Sequence, residues 1–224
     1  MEYLKDTLGV ARGSIEIVPN GVDCEHFIVP SKEQRQAARK FFGVESGQTL
    51  VVFIGRLHES KRPEIVVELA NRLRDLKAVA FAIVGEGAMQ DQIKRQIERL
   101  GLTDICHAYP WMDPRQAYWA ADLLLLPSLY EGFGLVAAEA LACGCPVVRT
   151  KTGGYSTTNR DGVTGWATEI DSEAFMAICL DVVREPSILS LMRSSARSWA
   201  ESHLALDKQV ERTMQAYVSS HRPS

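Results

Sequence analysis

The 224-residue sequence predicts an α/β chain built on a doubly wound parallel sheet and finished by a helical tail. Two observations carry that expectation. Short aliphatic and β-branched runs recur along the chain, and the segments between them carry apolar residues at three- and four-residue spacing. Strands buried on both faces read as continuous apolar runs, and parallel strands require helical crossovers of this length. The length suits one large α/β domain or two small ones, and 46% hydrophobic with 24% charged residues excludes a disordered, collagenous or disulfide-scaffold chain.

Residues 15–18 read as a short strand entering the Pro19-Asn20-Gly21 turn, with a polar helix over 31–42. Thr49-Leu-Val-Val-Phe-Ile-Gly55 is the first long apolar run. Pro63 opens a helix whose Ile65, Val66, Leu69, Ala70 and Leu73 share one face. The run 79–84 and the turn Gly85-Glu86-Gly87 lead to a helix over 89–100, closed by Gly101. Strand 105–108, helix 115–121, strand 123–127, a helix beginning near Gly134 and strand 146–150 continue the alternation, for five strands in all. Beyond Gly165 the pattern is helical, over 172–184, 186–203 and 207–218, with Trp166-Ala167 the last extended pair.

Twenty-five Lys and Arg against 28 Asp and Glu leave a net charge of −3, which argues against general attraction to nucleic acid or anionic lipid. Any anion site must be local. The run 123–126 is far too short to cross a membrane, and residues 1–10 carry Glu2, Lys5 and Asp6 without the apolar core of a secretory signal. Five cysteines with no Cys-x-x-Cys pair predict reduced thiols in a cytosolic setting, with Cys143 and Cys145 packed as small residues at a helix end. A nicotinamide fingerprint at Gly85-Glu86-Gly87 fails, because Gln90 stands where the third glycine is needed and the turn follows the second strand.

Ligands of open parallel sheets bind beyond the carboxyl ends of the strands, so the loops there are the candidates. After the first strand, Gly55-Arg56-Leu57-His58-Glu59-Ser60-Lys61 offers a guanidinium fork and an ammonium, suited to a diphosphate or simply solvated. After the fourth, Glu131-Gly132-Phe133-Gly134-Leu135 lets backbone amides approach a ligand at a helix start, with Glu139 about a turn and a half further on. Glu139 stands among Ala138, Ala140 and Leu141, where a carboxylate needs a partner. After the fifth, Gly153-Gly154 forms a glycine turn able to donate amides.

In order along the chain, Pro19-Asn20-Gly21-Val22-Asp23, Gly55-Arg56-Leu57 with Lys61, Gly85-Glu86-Gly87, Glu131-Gly-Phe-Gly-Leu135 with Glu139, Gly144-x-Pro146-Val147, Gly153-Gly154 and Asp161-Gly-Val-Thr-Gly165 resemble the GT4-type (glycosyl transferases group 1) retaining glycosyltransferases. The resemblance implies a GT-B fold, of which this chain would be the C-terminal, Rossmann-like half that binds a nucleotide sugar. It implies that Arg56 and Lys61 hold the donor diphosphate, that Glu131 reaches the sugar hydroxyls, and that these three are the catalytic groups. Gly55, Phe133, Gly134, Leu135, Gly153 and Gly154 would line the donor, and Glu139 would accept from ribose hydroxyls. Trp111 would cover the nucleobase, the alternative being a ring packed under a loop. No obligatory metal is implied, and the sequence has no Asp-x-Asp. UDP- or GDP-linked hexose is the expected donor.

Residues 15–206 would then form the donor domain, 1–14 the end of a linker helix from a missing acceptor-binding N-terminal domain, and 207–224 a closing helix. The missing domain would also supply a sugar-site histidine and any peripheral contact with a membrane, and without it little transfer is expected. A scaffold half of a GT-B assembly and an epimerase- or phosphorylase-like enzyme are the alternatives. Two positions depart from the family pattern, Tyr109 where glycine is usual and Tyr155-Ser156-Thr157 after the double glycine.

Overall fold

The computed structural model describes residues 15–76 and 78–220. The expectation for residues 1–14 lies outside them. Helix α1 (Lys32–Phe41) begins with a reciprocal cap, in which the Ser31 hydroxyl accepts from the Gln34 amide and the Gln34 side chain accepts from the Ser31 amide. Then β1 (Thr49–Ile54), α2 (Glu64–Arg72), β2 (Val79–Val84), α3 (Gln90–Arg99), β3 (Cys106–Tyr109), α4 (Pro114–Ala120), β4 (Leu123–Leu126), α5 (Leu135–Ala142) and β5 (Val147–Thr150) alternate strictly. A short α6 (Tyr155–Thr158), β6 (Gly165–Thr168), α7 (Ser172–Arg184), α8 (Pro186–Trp199) and α9 (Leu206–Ser220) complete the chain.

All neighbours in the six-stranded sheet are parallel, in the order β3-β2-β1-β4-β5-β6. The period-two geometry of a strand sends Val51 and Phe53 to one face and Leu50, Val52 and Ile54 to the other. On the first face they pack with α2, α3 and α7 through residues such as Leu69, Ile93 and Phe175. On the second they meet α1, α4, α5 and α8 through Ala38, Tyr118, Ala138 and Ala196. Each fully buried Leu, Ile or Phe contributes about 1.5–3 kcal/mol, so both layers are needed to hold so thin a sheet.

Three expectations change. Residues 15–18 form no strand, since among the described residues none of them pairs with the sheet, and the local bridge falls instead at Val22 with Ala205. The sheet has six strands rather than five, since Trp166-Ala167 extends to Gly165–Thr168 and pairs with β5 over its whole length. The single helix expected over 186–203 ends at Trp199 and continues as a π-helical turn, Ala200–Leu204, which leaves Leu204 and Leu206 in position to exchange main-chain hydrogen bonds with Val22. Gly21 then donates to Gln209 Oε1 at 2.6 Å, and Arg197 donates to the carbonyls of Phe27, Cys24 and Ala142, so the tail is stitched to the first turn of the chain. One face of α9 stays exposed through Leu206, Val210, Met214 and Val218. Among the described residues, no helix is long and apolar enough to cross a membrane.

At the amino ends of the strands, Asp122 accepts from Arg35 at 2.5 Å, Arg39 at 2.9 Å and the Leu50 amide at 2.8 Å. The same arginines, with Arg193, also bind the carbonyls of Trp119, Ala120 and Ala121 at the end of α4, where a helix leaves acceptors unsatisfied and favours cations. Replacing Asp122 with Ala is expected to lower the unfolding free energy in urea by about 2–3 kcal/mol, because it strands two part-buried guanidinium groups and an amide. Ligand affinity at the opposite edge of the sheet should not change.

Candidate functional site

The sheet order reverses between β1 and β4, so the loops after those strands diverge at their carboxyl ends and leave a crevice. Most of the predicted residues lie on the loops at that end of the sheet, with Trp111 on the loop after the edge strand β3. Gly55 ends β1, donating to the Val84 carbonyl at 3.0 Å, and Arg56 projects exposed with no side-chain partner among the described residues. A 3-10 turn, Glu59–Lys61, follows, with the His58 imidazole accepting from the Ser60 amide at its start. Arg62 closes it in the left-handed region (φ 54°) and donates to Ser172 Oγ, which fixes the direction of Lys61.

Sequence reasoning assigned Lys61 and Glu131 to different parts of a ligand. The structure brings them together, with Lys61 Nζ 2.6 Å from Glu131 Oε1, an oxygen that also accepts from Ser128 Oγ at 2.7 Å. The carboxylate is largely buried and the ammonium is about a quarter exposed. The Leu129 amide donates to the Ser60 carbonyl at 2.8 Å, so the loop after β1 and the loop after β4 meet through backbone as well as through charge.

Gly134 caps α5 at φ 86°, a conformation that costs a side-chain-bearing residue about 1 kcal/mol or more. The amides of Phe133, Gly134 and Leu135 have no acceptor among the described residues. They are the orphan donors of a helix start, next to the positive end of its dipole. Gly153 and Gly154 approach this loop so closely that a β-carbon on either would lie 2.1 Å from the Glu131 carbonyl or 2.2 Å from that of Phe133. Only glycine fits there. An open groove of about 410 Å³ passes Gly132, Phe133 and Gly154, walled by residues 17–20.

Glu139 has the partner its apolar setting demands, since the buried Tyr118 hydroxyl donates to its Oε2 at 2.7 Å. Burial pushes the Glu139 carboxyl above the usual glutamate value, opposed by the Tyr118 hydrogen bond and the charge of His26. One oxygen is thereby committed, and Oε1 remains for a ligand. Trp111 stands in the loop after β3 with 57% of its surface exposed, which excludes the alternative of a ring packed beneath a loop. Tyr109, the departure at the end of β3, turns away and packs edge-on to Phe42 with its hydroxyl 3.4 Å from the Phe42 carbonyl. Cys143 and Cys145 are fully buried and their thiols are pushed up by burial, as inert packing residues are.

Sequence reasoning missed Tyr118, Ser128 and Arg149. Nothing local marks Tyr118, whose partner is 21 residues away, whereas Ser128 lies only three residues before Glu131. Arg149 did carry a signal, as the one charged residue in the apolar strand Val147-Val148-Arg149-Thr150. It is fully buried, with its guanidinium beneath the loops of Phe133 and Gly153. Burial lowers its pKa to about 10, partly offset by the charge of Glu131, and it keeps its proton at neutral pH.

Residues 34–199 match the family model described as glycosyl transferases group 1. The D-inositol 3-phosphate glycosyltransferase of Mycolicibacterium smegmatis is 37% identical over 226 residues, covering 95% of this chain and 51% of the relative. That of Nocardia farcinica is 33% identical over 89% of this chain and 48% of its own length. The chain thus spans about half the length of the curated relatives it matches. Among solved structures, the Anabaena HepE protein in complex with UDP superposes with a TM-score of 0.84 at 24% identity, over 96% of this chain and 60% of that one. The C-terminal domain of a group 1 family protein (LpcC) from Francisella tularensis is matched over its full length and 83% of this chain, with a TM-score of 0.73 at 20% identity. The glycine-bounded loops, their place beyond a parallel sheet of order 3-2-1-4-5-6, and these matches together make the chain a member of the group 1 glycosyltransferases with the Rossmann-like fold of a GT-B C-terminal domain.

Proposed function

We propose that this chain is the donor-binding half of a retaining glycosyltransferase, holding a nucleoside-diphosphate hexose for transfer to an acceptor bound elsewhere. The observation that carries the reading is the arrangement across the crevice. The Lys61–Glu131 pair ties the loop after β1 to the loop after β4; Arg56 stands exposed on the first, and the second carries the amides of Phe133, Gly134 and Leu135, without an acceptor among the described residues, with Glu139 a helical turn deeper. Cations and amides of this kind meet a diphosphate, and a carboxylate with one open oxygen meets a ribose diol.

Negative charge builds on the diphosphate as the hexose departs, and preorganised donors are worth most at that moment because they need not reorganise. In this reading Arg56, Lys61 and the α5 amides do that work without an obligatory metal. Lys61 also holds Glu131 oriented toward the sugar hydroxyls, so that one pair serves both ends of the bond being broken. In this reading the exposed Trp111 stacks on the base face, a contact of about 1 kcal/mol. The UDP in the HepE complex supports UDP-linked hexose ahead of GDP-linked hexose. The acceptor site falls to an N-terminal domain in the half of the relatives' length that this chain does not span, and the exposed apolar face of α9 is surface for it to cover.

Calorimetric titration with UDP, GDP, ADP and their hexose conjugates is expected to show saturable binding of one nucleotide. The Arg56→Ala, Lys61→Ala double variant should weaken that binding by about tenfold or more, the worth of one or two charge-assisted hydrogen bonds. Failure of every nucleotide to bind at millimolar concentration, or robust transfer by this chain alone, overturns the reading.

Glu139 sets a pH dependence. It must be ionised to accept from both ribose hydroxyls, so affinity for UDP-glucose, whose phosphodiesters do not titrate in this range, should fall as pH drops through a value above that of ordinary glutamate. Stability runs the other way. A carboxyl whose folded pKa is raised contributes most below its unfolded value, and that contribution is lost as pH rises through the folded one. Glu139→Gln should therefore melt no lower than the parent at neutral pH, bind UDP-glucose about tenfold more weakly and lose the acid inflection. An unchanged inflection in that variant would assign it to another group.

A further inference from the structure

We propose that Arg149 is a positioning residue of the donor site, its guanidinium locking the loop after β4 and the loop after β5 into one body so that the amides of the α5 start face the ligand. The inference rests on the donor-site reading above but uses a residue that reading does not.

All five N–H groups of an arginine have a use here. Nε donates to the Thr150 carbonyl at 3.3 Å, Nη1 to Thr158 Oγ1 and, at 3.5 Å, to the Phe133 carbonyl, and Nη2 to the Gly153 carbonyl at 2.9 Å and Thr152 Oγ1 at 3.3 Å. Three of these acceptors lie on the loop after β5 or the short helix α6 that follows it, and Phe133 lies on the loop after β4. Thr158 Oγ1 passes the link on to the Gly154 carbonyl at 3.1 Å, and Thr150 Oγ1 donates to the Ser128 carbonyl at 2.5 Å. The planar fork also packs on Gly134, where a β-carbon would lie 3.0 Å from Nη1.

With its carbonyl held inward by Arg149, the Phe133 residue leaves its amide, and those of Gly134 and Leu135, without an internal acceptor. The cradle is thus held open before any ligand arrives. Among the described residues no carboxylate accepts from the guanidinium, and the charge of Glu131 offsets only part of the cost of its burial. A single ammonium cannot bridge Phe133 and Gly153 in the same way, since a lysine lacks the fork.

Arg149→Lys separates geometry from charge. Hydrogen-deuterium exchange of the ligand-free chain is expected to rise in peptides spanning 131–136 and 152–157 together, with β1 and β2 unchanged. Affinity for UDP should fall by about tenfold or more, as displaced binding groups lose more than their contact energy. A merely structural arginine would lower the melting temperature without coupling the two loops. Unchanged exchange in both loops with unchanged UDP affinity overturns the proposal. If Arg149→Lys does not fold, Thr158→Val, which keeps the guanidinium and removes one anchor, should raise exchange in the same two peptides by a smaller factor, and its failure to do so is equally decisive. A parent chain that binds no UDP counts against the donor-site reading alone, because the exchange experiment needs no nucleotide to decide whether Arg149 couples the loops.

Discussion

A parallel sheet covered by helices on both faces has almost no place for a polar side chain except at its ends. That constraint organises the molecule. The strands carry Val, Ile, Leu and Phe through two hydrophobic layers, and the charged residues are pushed to the two rims. At the amino rim they close helix ends, as Asp122 does with Arg35 and Arg39. At the carboxyl rim the strand order reverses and the charges sit on loops, Lys61 meeting Glu131 beside the start of α5.

Within that rim the electrostatics are graded. Arg56 has no side-chain partner among the described residues, Lys61 is shared with Glu131, Glu139 is half satisfied by Tyr118, and Arg149 donates to neutral oxygens. Close approach of the loop after β5 to the loop after β4 accounts for Gly153 and Gly154, because a β-carbon at either position would meet a carbonyl of the facing loop. Tyr109 turns into the α1 packing and leaves the exposed Trp111 as the aromatic of the loop after β3.

The chain spans about half of its curated relatives, yet its sheet, both helical layers and the clasp between Val22 and the tail are complete within the described residues. A core of this kind allows the rim loops to be positioned by local packing.

Periodicity was enough to place the parallel sheet and nearly every helix, because burial on both faces imposes an apolar run that residues 49–55, 79–84 and 123–126 display without reference to anything distant. Residues 15–18 misled for the same reason in reverse, since β-branched side chains show that a segment could pack but not that a strand lies beside it. The loops of the site were legible as glycines and charges at strand ends, and Arg56, Lys61, Glu131 and Glu139 could be named from them. Which of these touch was decided by the fold. Lys61 meets Glu131 across 70 residues, Tyr118 meets Glu139 across 21, and Arg149 joins two loops, because strands distant in sequence become neighbours only once the sheet has ordered them. The sequence by itself determined the layers and the chemistry available at the rim, since those follow from local burial and residue type; the tertiary structure alone decided the pairing, since a hydrogen bond depends on distances that only the closed sheet sets.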